Sequence, residues 1–84
     1  MIPTAAATET IVELDLRGLK CPMPVLRTRR ALARLAHGTV LRVWTTDPMA
    51  AVDLPHLARQ GGDFLRGQTQ HEWGLVFEIV KGRL

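Results

Sequence analysis

Apolar residues fall into four short strand-like stretches along this chain, and two longer stretches between them repeat at helical spacing. Residues 11–16, Ile-Val-Glu-Leu-Asp-Leu, mix β-branched and alternating positions and predict a strand. Arg17-Gly18-Leu19-Lys20 predicts a turn, and after Cys21-Pro22-Met23-Pro24 the pattern turns helical to about Ala36. Val25, Thr28 (through its methyl), Leu32, Leu35 and Ala36 share one face of that helix, with Arg27, Arg30 and Arg34 largely on the other. Gly38 suits the position just past the helix end, with His37 in the last turn. Residues 39–46, carrying Val40, Leu41, Val43 and Trp44, predict a second strand. Asp47-Pro48 reads as a helix start, Asp47 as N-cap and Pro48 as first residue, with the helix reaching about Gln60. Pro55 is expected to divide it into turns 48–52 and 54–60, since a proline in mid-helix removes a bond and clashes with the preceding turn. After Gly61-Gly62, residues 63–72 predict a weakly patterned third strand and Trp73-Gly74 a hairpin turn. Residues 75–80 are almost continuously apolar and predict a central fourth strand.

The resulting order, β-α-β-α-β-β, predicts an α/β domain with two helices on one face of a mixed four-stranded sheet. The first helix connects two strands over a length that suits a parallel crossover. Helices that follow parallel strands start at the same sheet edge, so Cys21 and Asp47 are expected near each other despite their separation in sequence. Residues 1–10, rich in Ala and Thr, are expected as a flexible tail ahead of a single domain over 11–84.

Composition narrows the functional classes. Two Phe, two Trp and no Tyr in 84 residues leave the core to Leu, Val, Ile and Ala, with room for a shallow site and not a deep cavity. No apolar run is long enough for a membrane helix, and the N-terminus does not read as a signal peptide. A single cysteine makes no intramolecular disulfide and points to the reducing cytoplasm. Neither metal nor cofactor is expected, because His37, His56 and His71 are scattered and Cys21 has no second cysteine beside it. The net charge of +3, mostly from Arg, suits acidic partners of either protein or nucleic acid.

The chemistry converges on Cys21. Placed at a helix start, its thiolate gains from the helix dipole and from amides that lack intrahelical partners. Pro22 and Pro24 stiffen the approach, Pro24 suits the first helical position, and Met23, preceding a proline, is pushed towards extended geometry. Arg17, Lys20 and Arg27 add positive charge around the sulfur. No second cysteine stands ready to resolve an oxidised sulfur, and no histidine has an evident path to Cys21. His56 and His71 are expected on the surface without a role, and Trp44 and Trp73 in the core or hairpin. An exposed nucleophile with so few accessories suits a group that accepts sulfur and passes it on.

The run from Leu14 to Val25, with Cys21-Pro22-Met23-Pro24 at its heart, resembles the opening of the TusA family of sulfur carriers, also called SirA-like, whose hallmark is C-P-x-P. Arg29 and Arg30 are similar to that family's basic pair on the first helix. Thr46-Asp47-Pro48 followed by Asp53-Leu54-Pro55 is similar to its second signature, and the resemblance spans about residues 11–82. Met23 stands where an acidic residue is common, which bears on partner preference more than on chemistry. The resemblance implies a two-layer α/β sandwich and a persulfide carried on Cys21. Pro22, Met23, Pro24, Asp47 and Pro48 would shape the site, and Arg17, Lys20, Arg27, Arg29 and Arg30 would dock partners. It further implies charging by a cysteine desulfurase or rhodanese and delivery to an acceptor protein, in a pathway such as tRNA thiolation. The chain would then act as a monomeric relay and not a full enzyme. A regulatory or protein-binding module in which Cys21 is incidental is the alternative. An RNA-binding module is less expected, because stacking aromatics are few.

Overall fold

A computed structural model describes residues 9–82 of the chain. Strand β1 covers Ile11–Asp15, helix α1 Met23–Ala33, strand β2 Val40–Thr45, helix α2 Ala50–Gln60, strand β3 Phe64–His71 and strand β4 Gly74–Val80. The order is the expected β-α-β-α-β-β, and the four strands form one sheet arranged β1-β2-β4-β3. β1 runs parallel to β2, and the other two pairings are antiparallel, so the sheet is mixed. The nearly continuous apolar run of β4 is explained by its central place between β2 and β3. Between Leu65 and Gly67 the register of edge strand β3 slips, leaving Arg66 as the extra residue of a bulge.

Strand alternation sends Leu41 and Val43 of β2, with Phe77 and Ile79 of β4, into one core with Leu32 of α1 and Ala50, Leu54, Leu57 and Ala58 of α2. Each fully buried Leu, Ile or Phe contributes about 1.5–3 kcal/mol. Among the described residues, no helix covers the opposite face of the sheet. One residue from each strand makes a ladder across it, Glu13–Arg42–Glu78–Arg66, with contacts of 2.8, 2.8 and 3.0 Å, and Glu9 closes on Arg66. No described helix is long and apolar enough to cross a membrane.

Four local expectations need correction. Pro55 does not divide the second helix: α2 is continuous over Ala50–Gln60 with Pro55 inside it. Ala50, Leu54, Leu57 and Ala58 bury one face on both sides of the proline, and that packing outweighs one missing donor. Asp47 is not the N-cap. Residues 47–50 close a separate turn, the Ala50 N–H donating to the Asp47 carbonyl at 3.0 Å, so the cap position passes to Met49 and Pro48 lies in the turn ahead of the helix, not at its first position. Nor is Met23 extended. It is the first residue of α1, with Pro22 at the cap and Pro24 second. The Met23 N–H is already spent on the Lys20 carbonyl at 2.8 Å, and a proline nitrogen in the first turn forfeits no intrahelical bond. α1 also ends at Ala33, short of Ala36, as the N–H groups of Arg34 and Leu35 turn to carbonyls three residues back.

Of the expected tail, residues 1–8 lie outside the described residues. Glu9 and Thr10 make contacts: Glu9 pairs with Arg66, and the Thr10 carbonyl accepts the Val40 N–H at 2.9 Å.

Candidate functional site

Both helices begin at the same end of the sheet, because each follows a strand of the parallel β1–β2 pair. The turn between β1 and α1 carries Cys21, and the turn between β2 and α2 carries Asp47. The two are joined directly, the Cys21 N–H donating to Asp47 Oδ2 at 2.7 Å. Asp47 Oδ1 accepts the Met49 N–H at 3.1 Å, so one carboxylate ties both turns together. A second tie runs from the Gly18 N–H to Thr46 Oγ1 at 2.9 Å. Gly18 adopts a φ of +90°, which only glycine reaches without strain in this turn.

Cys21 is a free, exposed thiol two residues ahead of α1. Pro22 is exposed beside it, whereas Pro24 is buried under the first helical turn. The Cys21 N–H is taken by Asp47, and among the described residues the side-chain partner of Sγ is Asp53 of α2, whose Oδ2 lies 3.9 Å away. The charged group in contact with the sulfur is thus a carboxylate, where the sequence suggested surrounding cations.

The sulfur lies at a cleft of about 200 Å³ between the helices. Cys21, Pro22, Val25 and Arg29 line one wall, and Asp53, His56, Leu57 and Gln60 the other. His56, for which the sequence suggested no path to Cys21, shares this cleft. The misreading traces to Pro55. With the helix unbroken, Asp53, His56, Leu57 and Gln60 stand at i, i+3, i+4 and i+7 on one face. The signal was the Asp53-Leu54-Pro55-His56 run, once read as one helix.

The basic residues separate into two groups. Arg17 forks onto Asp15, with Nε and the terminal nitrogen donating at 2.9 and 2.8 Å. It also lies 5.1 Å from the Trp44 ring and 5.4 Å from the Trp73 ring. Those indoles stack at 5.7 Å and His71 stacks on Trp73 at 5.1 Å, placing both tryptophans in a surface stack and not in the core. The Arg17 hydrogen bonds hold the Asp15 carboxyl down at about 2, against an ordinary 3.8. The Arg42 hydrogen bond likewise holds Glu78 below its ordinary range, against the opposing effect of burial, with the Arg66 hydrogen bond adding to it. Lys20, Arg27, Arg29 and Arg30 are exposed and make no ion pair among the described residues. Met49, Val52 and Leu26 add exposed apolar surface on the same two helices and their entry turns.

Residues 12–81 match the family described as sulfurtransferase TusA. The chain is 44% identical to the "Putative sulfur carrier protein YrkI" of Bacillus subtilis over 82% of this chain and 92% of that protein. It is 38% identical to the sulfur carrier protein TusA of Allochromatium vinosum, over 82% of this chain and 90% of that one. The crystal structure of a SirA-like protein from Desulfitobacterium hafniense superposes with a TM-score of 0.74 at 29% identity, covering 88% of this chain and all of the other.

Proposed function

We propose that this chain, which belongs to the TusA sulfurtransferase family, is a sulfur carrier that holds a sulfane sulfur as a persulfide on Cys21. One observation carries the reading. The single thiol is exposed at the mouth of an interhelical cleft, on a turn whose backbone is pinned by the 2.7 Å bond to Asp47. A fixed backbone with a free sulfur suits repeated handover, because the sulfur is reachable and little ordering is needed on docking.

Charging is an exchange between two sulfurs. The Cys21 sulfur attacks the outer sulfur of a donor persulfide, the donor's S–S bond breaks, and a new S–S bond forms at Sγ. The donor cysteine leaves as a thiol, taking up the proton that Cys21 gives up, so no external oxidant or reductant is consumed. Delivery runs the same steps with an acceptor in the place of Cys21. A cysteine desulfurase or a rhodanese is the donor class that produces such a persulfide. Lys20, Arg27, Arg29 and Arg30, lacking acidic partners among the described residues, would meet an acidic rim on donor or acceptor. Arg17, although exposed, is committed to Asp15 and the indole stack. Pro22, Met23, Pro24 and Pro48 shape the two turns, and the reducing cytoplasm is the compartment that suits a free thiol.

Incubation with a cysteine desulfurase and cysteine, followed by intact-mass measurement, should show a gain of one sulfur that Cys21→Ser abolishes. Failure to load from desulfurase, rhodanese and small-molecule persulfides alike would refute the proposal. It would favour a binding module in which Cys21 is incidental.

A further inference from the structure

The contact between Cys21 and Asp53 is unusual for a carrier of anionic sulfur, since Asp53 places a carboxylate 3.9 Å from the reacting atom. A neutral thiol can donate its hydrogen to that carboxylate. A thiolate cannot, and two negative charges at this distance repel. The bound sulfur changes acidity in the course of the work: a persulfide is a stronger acid than the thiol it replaces, so loading shifts the balance towards the anion. A group that favours the one and disfavours the other shifts the balance between them.

We infer that Asp53 is a catalytic residue that holds the hydrogen on the empty Cys21 sulfur and disfavours the loaded persulfide anion, biasing the carrier towards giving its sulfur away. The inference rests on the persulfide reading of Cys21. In the exchange, Cys21–SH and a donor R–S–S⁻ become Cys21–S–S⁻ and R–SH. One S–S bond breaks, one forms, and the proton passes from Sγ by way of Asp53 to the departing donor sulfur. The other charged or titratable groups lining this cleft are Arg29 of α1 and His56 of α2. Asp47 is engaged with the Cys21 amide, and Lys20 precedes the cysteine in the turn. Neither Arg29 nor His56 hydrogen-bonds Sγ, which leaves Asp53 as its hydrogen-bond partner among the described residues. α2 holds Asp53 rigidly, with Leu54 fully buried next to it.

Two measurements on the full chain test this, and they fail separately. The first is the rate of Cys21 alkylation by iodoacetamide at pH 7. Asp53→Asn should alkylate about threefold to tenfold faster than the parent, the range expected for removing a like charge at an exposed site. Asp53→Glu should stay near the parent rate. The second is the fraction loaded at equilibrium in a fixed mixture of glutathione persulfide and glutathione, read by intact mass. Asp53→Asn should raise the loaded-to-empty ratio by a similar factor. An alkylation rate in Asp53→Asn that is unchanged or slower, with circular dichroism unaltered, overturns the role of Asp53. Faster alkylation in a protein that accepts sulfur from no donor would uphold the Asp53 contact and overturn the carrier reading instead.

Discussion

The backbone N–H of Cys21 and the side chain of Asp47 are joined at 2.7 Å across 26 residues of sequence. One carboxylate thereby holds the reactive turn against the entry to the second helix. Asp47→Ala removes this bond and the one from the Met49 N–H. It should cost about 1–2 kcal/mol of stability, of the order lost with a capping residue. The same substitution should lower the rate of sulfur loading while leaving Cys21 alkylable. Urea denaturation and a loading time course measure the two effects.

Thr28 lies on the inner face of α1 and is fully buried, with its hydroxyl lacking a hydrogen-bond partner among the described residues. A buried hydroxyl without a partner costs about 1–3 kcal/mol. Thr28→Val replaces it with a methyl of similar shape and should stabilise the fold by about 1 kcal/mol. For a domain of this size that is a rise in Tm of about 4–8 °C, readable by thermal denaturation.

Gly74 starts β4 with the Thr45 carbonyl oxygen only 2.3 Å from where a Cβ would stand. Thr45 and Gly74 both lie in paired strands, whose backbone cannot shift cheaply. Gly74→Ala should destabilise the domain by about 1–3 kcal/mol or more, as overpacking does. The amide resonances most displaced should be those of Thr45, Thr46 and Gly74.

The Arg17–Asp15 pair makes a prediction in pH. The folded-state carboxyl titrates lower than its unfolded counterpart, at about 2 against 3.8. Its contribution to stability is therefore complete above the unfolded value and lost as the pH falls from about 4 towards 2. Both side chains are about half exposed, so the contribution is small and screened by salt. The carboxyl resonance of Asp15 should titrate near 2 by NMR and return towards 3.8 in Arg17→Ala.

How far the sequence could be read depended on whether neighbours in the chain or contacts across it decide a feature. The six elements, their order and the central place of β4 follow from local periodicity, and the meeting of Cys21 with Asp47 follows from the β-α-β order. Pro55 was misread because its local cost is visible in the sequence, whereas the burial of Leu54, Leu57 and Ala58 that offsets it depends on the rest of the fold. That misreading hid the cleft face bearing Asp53 and His56. The arginines illustrate the same limit. Arg42 and Arg66 look no different from Arg27 or Arg30 in sequence, and only the strand register shows that they meet carboxylates.

The slip in register at Arg66 has a consequence for the outer margin of the sheet. An approaching extended segment would find the spacing of donors and acceptors interrupted at the third residue of β3. A second copy of this chain would meet an irregular ladder there and not a continuous row, which makes the start of that border a poor template for strand pairing.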